Sequence, residues 1–298
     1  MNFVRLYKIY SNRINNKLFF TLNKLPFQNS NLIKAMKYSI FSGSKRLRSC
    51  LVYATGKTFN INLIALDVIA TAIECIHSYS LIHDDLPCMD NDLFRRGKIS
   101  CHVKYGENIA LLAGDALQSL AFNVLSDSFM PDISDSKRIK MISELSSSIG
   151  ASGMCIGQML DLESEKKEVV LSELDSINLY KTAFLIRSAV RLAYFSSNYL
   201  SESILSTLDC FSISIGLAFQ IQDDILDIKN DIIRISNKDS NNIVQKNTYP
   251  SIMGLDQSKK KIQQLYKKSF LALNNLQKKD FDTNILRKLT QFIIKFNK

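Results

Sequence analysis

Three aspartates lie close together in residues 83–90, which read His-Asp-Asp-Leu-Pro-Cys-Met-Asp. At about 6 Å separation and an effective dielectric constant near 20, two such charges repel each other by roughly 3 kcal/mol. Asp84 and Asp85 follow an apolar run with helical spacing, and Pro87 ends that helix. Both charges then lie at a helix C-terminus, where the helix dipole disfavours them. A divalent cation would relieve both penalties, and ligands that are all oxygen indicate magnesium.

Asp90 can join this cluster only if the chain bends. On a continuous helix the side chains of Asp84 and Asp90 would point about 240° apart, so we expect the break at Pro87 to bring Asp90 back. His77 precedes Asp84 by seven residues and is about 20° away from it around the helix. The spacing alone fits two interpretations of His77: a residue of the apolar core or a residue of the site.

A second acidic cluster lies at residues 220–227 and has a more regular spacing. Asp223 and Asp227 are four residues apart, and Gln220 lies one turn before Asp223 on nearly the same helix face. Two like charges at that spacing destabilise an isolated helix. Apolar residues flank the cluster on both sides, which argues against a simple solvated face. Two acidic clusters in one chain predict a metal site more strongly than either does alone.

These clusters resemble the two aspartate-rich motifs of the trans-isoprenyl diphosphate synthases, and within that family the bacterial farnesyl diphosphate synthases. The resemblance extends along nearly the whole chain. The matching stretches are residues 43–48 (Gly-Ser-Lys-Arg-Leu-Arg), 74–92, 95–97 (Arg-Arg-Gly), 114–117 (Gly-Asp-Ala-Leu), 157–162 (Gly-Gln-Met-Leu-Asp-Leu), 181–182 (Lys-Thr), 219–227 and 246–250 (Lys-Asn-Thr-Tyr-Pro).

The resemblance implies a role for each matching residue. The metal ligands would be Asp84, Asp85, Asp90, Asp223 and Asp227, and the cofactor would be Mg²⁺. The groups that hold the diphosphates of the substrates would be Lys45, Arg48, His77, Arg95, Arg96, Lys238 and Lys246. The catalytic groups would be Lys181, which binds the allylic diphosphate, and Thr182 and Gln220, whose oxygens face the developing allylic cation. Tyr79, an aromatic residue five positions before Asp84, would limit the product length.

The implied activity is a prenyltransferase that condenses isopentenyl diphosphate with dimethylallyl or geranyl diphosphate to give farnesyl diphosphate. The same chemistry with geranyl or geranylgeranyl diphosphate as product is the nearest alternative. A terpene cyclase would not need Lys45, Arg48 and Arg96. A catalytically silent partner subunit would not need acids at both motifs. A basic helical nucleic-acid-binding protein is the alternative from a different class, and it would leave the acids unexplained.

Composition favours long helices around a sizeable core. The 298 residues include only 4 Pro and 10 Gly, and 46% are hydrophobic. No alternation typical of strands recurs, and no linker or repeat interrupts the chain. We therefore predict an all-α fold, and the family implies a single helical bundle over residues 1–298 around a central cavity. The central expectation is that Asp84 and Asp223 converge across that cavity.

Charge is unevenly distributed along the chain. The net charge is +10, yet residues 1–66 hold eleven Lys or Arg and no acid, which leaves 27 basic against 28 acidic residues elsewhere. We expect this basic segment to bind a diphosphate at its end, through Lys45, Arg46 and Arg48, rather than nucleic acid or a membrane surface. The sequence shows no secretory signal, C-x-x-C pair or apolar run of about 18 residues. We expect a cytoplasmic protein without membrane insertion, and the family implies a homodimer.

The chain departs from the family pattern at a few positions. Ser44 stands where a second glycine is usual in the Lys45 loop, and Ala183 stands where glycine is common. Asn237 and Gln245 replace the glycines before Lys238 and Lys246, in a polar segment that the family uses as a lid. We expect Asn237 and Gln245 to alter the closure of that lid.

Overall fold

The structure is a computed structural model, and it describes residues 3–165, 167–236 and 247–296. The described part of the chain is almost entirely helical, which confirms the all-α prediction. The first helices are α1 (Phe3–Asn23), α2 (Asn31–Ile40), α3 (Leu47–Thr58), α4 (Leu63–Asp84), α5 (Cys101–Tyr105), α6 (Glu107–Asp127) and α7 (Asp135–Ile149). They are followed by α8 (Met154–Ser164), α9 (Leu171–Asn178), a π-helical segment (Leu179–Ala183), α10 (Phe184–Phe195), α11 (Glu202–Ser236), α12 (Tyr249–Met253), α13 (Leu255–Gln277) and α14 (Asn284–Phe296).

The chain divides into two compact units. The first comprises Met1–Ser143 with Leu192–Tyr199, and the second comprises Glu144–Arg191 with Leu200–Lys298. The prediction of a single domain over residues 1–298 stays a prediction.

Helix α4 is the centre of the first unit and packs against α6 and α3. It is apolar on nearly every face, and most of its residues are buried. A helix of this kind needs neighbours all round to cover it. The Asn62 side chain caps its N-terminus by accepting a hydrogen bond from the backbone N–H of Ile64. The position of α4 in the core therefore fixes the position of its C-terminal acids.

Helix α11 is the corresponding element of the second unit and packs against α13 and the π-helical segment. Gly216 permits the close approach to that segment, because a Cβ atom there would lie 2.9 Å from the Cα of Ala183. Ile221 and Ile225 of α11 enter a buried apolar cluster with Tyr249. The second acidic cluster thus lies on a helix that packs against the π-helical segment and against the apolar cluster around Tyr249.

Some details of the chain differ from the sequence predictions. The spacing of residues 137–160 is typical of one helix, but a turn at 150–153 breaks this stretch into α7 and α8. The polar composition of residues 166–175 predicts a loop, but α9 begins within it at Leu171. A two-stranded antiparallel hairpin pairs Phe94 with Ile99 and Arg95 with Lys98. Neither the turn nor the hairpin changes the fold class.

In the part of the chain that the structure describes, three helical stretches are long and apolar enough to span a membrane, judged by length and composition alone. They are Leu63–Asp84, Glu107–Asp127 and Glu202–Asp227. The prediction that the chain has no apolar run of membrane-spanning length is therefore wrong by this measure. In Leu63–Asp84, 72% of the apolar window is buried inside the protein, as a core helix requires.

Candidate active site

The first acidic motif has the bend that its proline predicts. Helix α4 ends at Asp84, and the backbone N–H of Asp90 donates a hydrogen bond to the Asp84 carbonyl oxygen at 3.0 Å. The chain therefore turns back on itself within six residues, which confirms that Asp90 returns toward the helix end. Pro87, exposed in the turn, could not have donated the hydrogen bond that a continuing helix needs.

Arg95, from the hairpin, binds the carboxylates of this motif. Its Nε donates to Asp85 Oδ1 at 2.7 Å, and its Nη2 donates to Asp85 and to Asp92 Oδ2, the latter at 3.0 Å. Asp84 Oδ2 lies 3.7 Å from the same nitrogen. Burial alone would lower the pKa of Arg95, but the hydrogen bonds and charge of Asp85 raise it above its ordinary value. Arg95 and its acids therefore form one charged group, in which Asp85 is the main partner.

A basic cluster lies in the same unit. The Nε2 atom of His77 is 3.3 Å from Arg48 Nη1 and 3.2 Å from Arg96 Nη2. Because guanidinium groups only donate, this nitrogen must be the acceptor, and the ring is neutral with its proton on Nδ1. Burial and the charges of both arginines hold the pKa of His77 well below its ordinary value. Two guanidinium groups around a neutral ring are a strong attraction for a diphosphate.

The loop before α3 holds this cluster in place. Arg96 Nη1 donates to the carbonyl oxygen of Ser42 at 3.4 Å, and Gly43 has a positive φ of 66°. The Lys45 carbonyl oxygen accepts a hydrogen bond from the Tyr7 hydroxyl group. The side chain of Lys45 itself is exposed. Arg96 also lines an open cleft, together with Arg95 and Asp85.

The second unit carries the second acidic motif on α11. Asp223 is partly buried and Asp227 is exposed, as expected for residues on one face of a helix that can reach a ligand. Asp224, between them, is 7% exposed and points elsewhere. No role for Asp224 was predicted from the sequence, although its apolar neighbours Ile221 and Ile225 on the same helix indicate a buried position.

The π-helical segment presents Lys181 and Thr182. Lys181 Nζ donates to Asp161 Oδ2 at 2.6 Å, so this lysine has an anionic partner within the protein. Gly157 of α8 allows the segment to approach, because a Cβ atom there would lie 2.2 Å from the Lys181 nitrogen. π-Helical turns often occur at functional sites.

A chain of hydrogen bonds joins this segment to α11. The Thr182 hydroxyl group donates to Gln220 Oε1 at 3.1 Å, and Gln220 Nε2 donates to Asp224 Oδ1 at 3.0 Å. Asp224 Oδ2 accepts from the backbone N–H of Tyr249 at 3.1 Å. The structure thus brings together Thr182 and Gln220, two residues that the sequence assigned to one role.

Magnesium fits the donor set of both motifs, since all the candidate ligands are carboxylate oxygens. Within residues 3–165, 167–236 and 247–296, no group of three or more His, Cys, Asp or Glu side chains could hold a metal ion on its own. Mg²⁺ usually keeps water and substrate phosphate among its ligands. Lys238 and Lys246, with Asn237 and Gln245, lie outside the described residues.

The sequence matches known proteins over most of its length. Residues 29–281 match the family model described as polyprenyl synthetase. The chain is 73% identical to a farnesyl diphosphate synthase of Buchnera aphidicola subsp. Acyrthosiphon pisum over 94% of this chain and 98% of the relative. It is 50% identical to the farnesyl diphosphate synthase of Escherichia coli over 92% of each chain.

Solved structures show the same fold. A geranyltransferase from Legionella pneumophila superposes with a TM-score of 0.87 at 34% identity, covering 98% of this chain and 96% of the other. A putative farnesyl-diphosphate synthase from a Marinomonas species superposes with a TM-score of 0.82 at 36% identity, covering 99% of each chain.

Proposed function

The chain belongs to the polyprenyl synthetase family, and we propose that it is a magnesium-dependent farnesyl diphosphate synthase. It condenses isopentenyl diphosphate with dimethylallyl diphosphate, and then with geranyl diphosphate, to give farnesyl diphosphate. The alternative of a basic nucleic-acid-binding protein is not favoured, since relatives at 73% and 50% identity are named farnesyl diphosphate synthases.

The observation that carries this proposal is the cluster of Arg48, His77 and Arg96. Two guanidinium groups converge on one neutral imidazole nitrogen at 3.3 and 3.2 Å. Because both guanidinium groups contact the same ring nitrogen, their positive charges repel each other, and a bound diphosphate would stabilise the arrangement. We assign this cluster, with Lys45, to the diphosphate of isopentenyl diphosphate.

We assign the allylic diphosphate to the two acidic motifs through magnesium. Asp84, Asp85 and Asp90 of the first motif and Asp223 and Asp227 of the second would hold the metal. Magnesium would neutralise charge that develops on the departing diphosphate. Asp85 already accepts the hydrogen bonds of Arg95, and we assign it the further task of orienting that arginine toward the diphosphate.

Side chains of the protein stabilise the charges that develop during the reaction. Lys181 and Arg95 offset the negative charge of the leaving diphosphate, and Lys238 and Lys246 would assist from the lid. The oxygens of Thr182 and Gln220 stabilise the allylic cation. The double bond of isopentenyl diphosphate then attacks that cation. No side chain is assigned as a general base, and the released pyrophosphate takes the proton.

Assembly and location are part of the same proposal. We propose a cytoplasmic homodimer, and apolar side chains on α6 support an interface between copies: Leu111 and Leu112 are 46% and 52% exposed. Light scattering with size-exclusion chromatography measures the mass directly. A monomer at micromolar concentration would contradict this part of the proposal.

The test of the activity is incubation of the protein with dimethylallyl and isopentenyl diphosphates, with magnesium or with a chelator. We expect farnesyl diphosphate by product chromatography, and none after chelation. Dimethylallyl diphosphate alone is the control for a cyclase. Failure to elongate with any divalent metal would remove the proposal, whereas geranyl or geranylgeranyl diphosphate as the end product would correct only the product length.

A further inference from the structure

Asp224 lies in the second acidic motif but has both carboxylate oxygens engaged within the protein. It is 7% exposed, against a partly buried Asp223 and an exposed Asp227. Its Oδ1 accepts from Gln220 Nε2 at 3.0 Å, and its Oδ2 accepts from the Tyr249 backbone N–H at 3.1 Å. Tyr249 is fully buried and is the first residue of α12, so its N–H has no partner within that helix. Asp224 therefore stabilises the N-terminus of α12 and contacts Gln220 at the same time.

The contact with Gln220 decides which way its side-chain amide faces. A carboxylate accepts hydrogen bonds and cannot donate them. The amide nitrogen of Gln220 must therefore face Asp224, and the amide oxygen must face Thr182. The 3.1 Å hydrogen bond from the Thr182 hydroxyl group to Gln220 Oε1 completes this arrangement. Without a fixed acceptor at position 224, the two ends of the amide are nearly equivalent in shape and can exchange.

We propose that Asp224 is a positioning residue that fixes the amide of Gln220, so that the oxygen and not the nitrogen is presented beside Thr182. The inference rests on the proposed function, since it matters for catalysis only if an allylic cation forms there. A carbonyl oxygen carries partial negative charge and stabilises a cation, while an N–H₂ group carries partial positive charge and opposes it. Catalysis gains when such dipoles are oriented before the reaction begins.

The variant Asp224→Asn tests this with almost no change of shape. The introduced asparagine can still accept from the Tyr249 N–H through its oxygen, which leaves its own N–H₂ facing Gln220. Two amide nitrogens cannot face each other as donors, so Gln220 turns over and presents nitrogen to Thr182. We expect kcat to fall roughly 10- to 100-fold, with the KM for isopentenyl diphosphate within about twofold of wild type, as expected when only a transition-state interaction is lost.

Exchanging the carboxylate and the amide between positions 224 and 220 should restore activity. In the double variant Asp224→Asn with Gln220→Glu, the introduced asparagine N–H₂ donates to one oxygen of the introduced glutamate, and the other oxygen accepts from Thr182. All hydrogen bonds and the net charge are restored, so we expect kcat to recover at least about tenfold over Asp224→Asn. Gln220→Glu alone places two carboxylates against each other, and we expect it to lower kcat as well. If charge alone mattered, the two single changes would act in opposite directions.

The experiment measures kcat and both KM values for the wild type, the two single variants and the double variant, with thermal melting to establish folding. Asp256→Asn, a change of the same chemistry on a 92% exposed side chain, is the matched control and should behave as wild type. A normal kcat in Asp224→Asn, or no recovery in a folded double variant, would overturn the inference.

A second measurement does not depend on activity. In selectively labelled protein, the Gln220 side-chain N–H₂ signal is assigned by its loss in Gln220→Glu. We expect a large change in its proton shift in Asp224→Asn, because the carboxylate acceptor is gone. An unchanged signal would contradict the inference even in an active enzyme. If the wild type proves inactive, a changed signal in Asp224→Asn would still support the positioning role of Asp224, while the inactivity would remove the proposed function.

Discussion

Arg46 and Glu74 form an ion pair that is almost completely withdrawn from solvent. Arg46 Nη1 lies 2.7 Å from Glu74 Oε2, and the two side chains are 3% and 1% exposed. Arg46 also donates to Asn15 Oδ1 and to the Ile40 carbonyl oxygen, and its backbone has a positive φ of 53°. Burial alone would raise the pKa of Glu74, but the charge and hydrogen bond of Arg46 hold it below its ordinary value. The pair thus fixes the loop that carries Lys45 to the core helix α4.

We predict that Glu74→Gln lowers the free energy of unfolding by about 3–5 kcal/mol, because it leaves a buried guanidinium without its counter-charge. Urea unfolding followed by circular dichroism measures the change. Lys259→Ala is the matched control: it breaks an ion pair with Asp256 in which the side chains are 57% and 92% exposed. We expect a change within about 0.5 kcal/mol there. Equal effects of the two substitutions would contradict the prediction.

His77 should make stability depend on pH. In the folded protein its pKa is well below the ordinary value, because burial and the charges of Arg48 and Arg96 disfavour the protonated ring. In the unfolded chain the ring takes up a proton below about pH 6.5. The unfolded state then binds more protons, so the stability contributed by the neutral ring is present above about pH 6.5 and is lost as the pH falls below it.

We therefore predict that the stability difference between wild type and His77→Asn changes as the pH is lowered from about 7.5 to about 5.5, with wild type losing more. The slope is at most about 1.4 kcal/mol per pH unit. Unfolding in urea at several pH values measures it. Isopentenyl diphosphate should weaken the dependence, because its negative charge favours the protonated ring. Parallel curves for the two proteins would refute the depressed pKa.

The sequence predicted the structural features whose cause lies in neighbouring residues, but not the contacts between residues far apart in the chain. Pro87 lacks the backbone N–H that a helix needs, so the end of α4 and the return of Asp90 could be read from residue types alone. The main partner of Arg95 could not be predicted in this way, since Asp85 lies ten residues before it and reaches it only through the turn and the hairpin. Asp224 was missed for a similar reason, because its second partner, Tyr249, is 25 residues further on.

Gly157 is a helical glycine whose replacement by alanine should lower the stability of the protein. Replacing glycine by alanine within a helix ordinarily stabilises by about 1 kcal/mol. Here a Cβ atom would lie 2.2 Å from the backbone nitrogen of Lys181, so the π-helical segment must move. We expect Gly157→Ala to lower stability by about 1–3 kcal/mol and to raise the KM for the allylic substrate, because Lys181 is displaced. Met159→Ala on the same helix, at a side chain 43% exposed, should leave both unchanged. A stabilised, fully active Gly157→Ala would disprove the close contact.

Tyr79 provides the prediction on product length. It is 7% exposed on α4, with its ring edge-on to His83 at 5.2 Å between centroids. If this ring limits the growing chain, Tyr79→Ala opens space about one turn from the first acidic motif, and products longer than farnesyl diphosphate should appear by chromatography.

Tyr194→Ala is the matched control, because Tyr194 is 1% exposed and packs edge-on against Phe59 at 5.1 Å. Both substitutions remove a buried tyrosine from the first unit, and both should destabilise it by about 3–5 kcal/mol. Only Tyr79→Ala should lengthen the product. Longer products from both variants would mean that general loosening of the core, and not the position of one ring, sets the length, whereas farnesyl diphosphate from both would remove Tyr79 from product control.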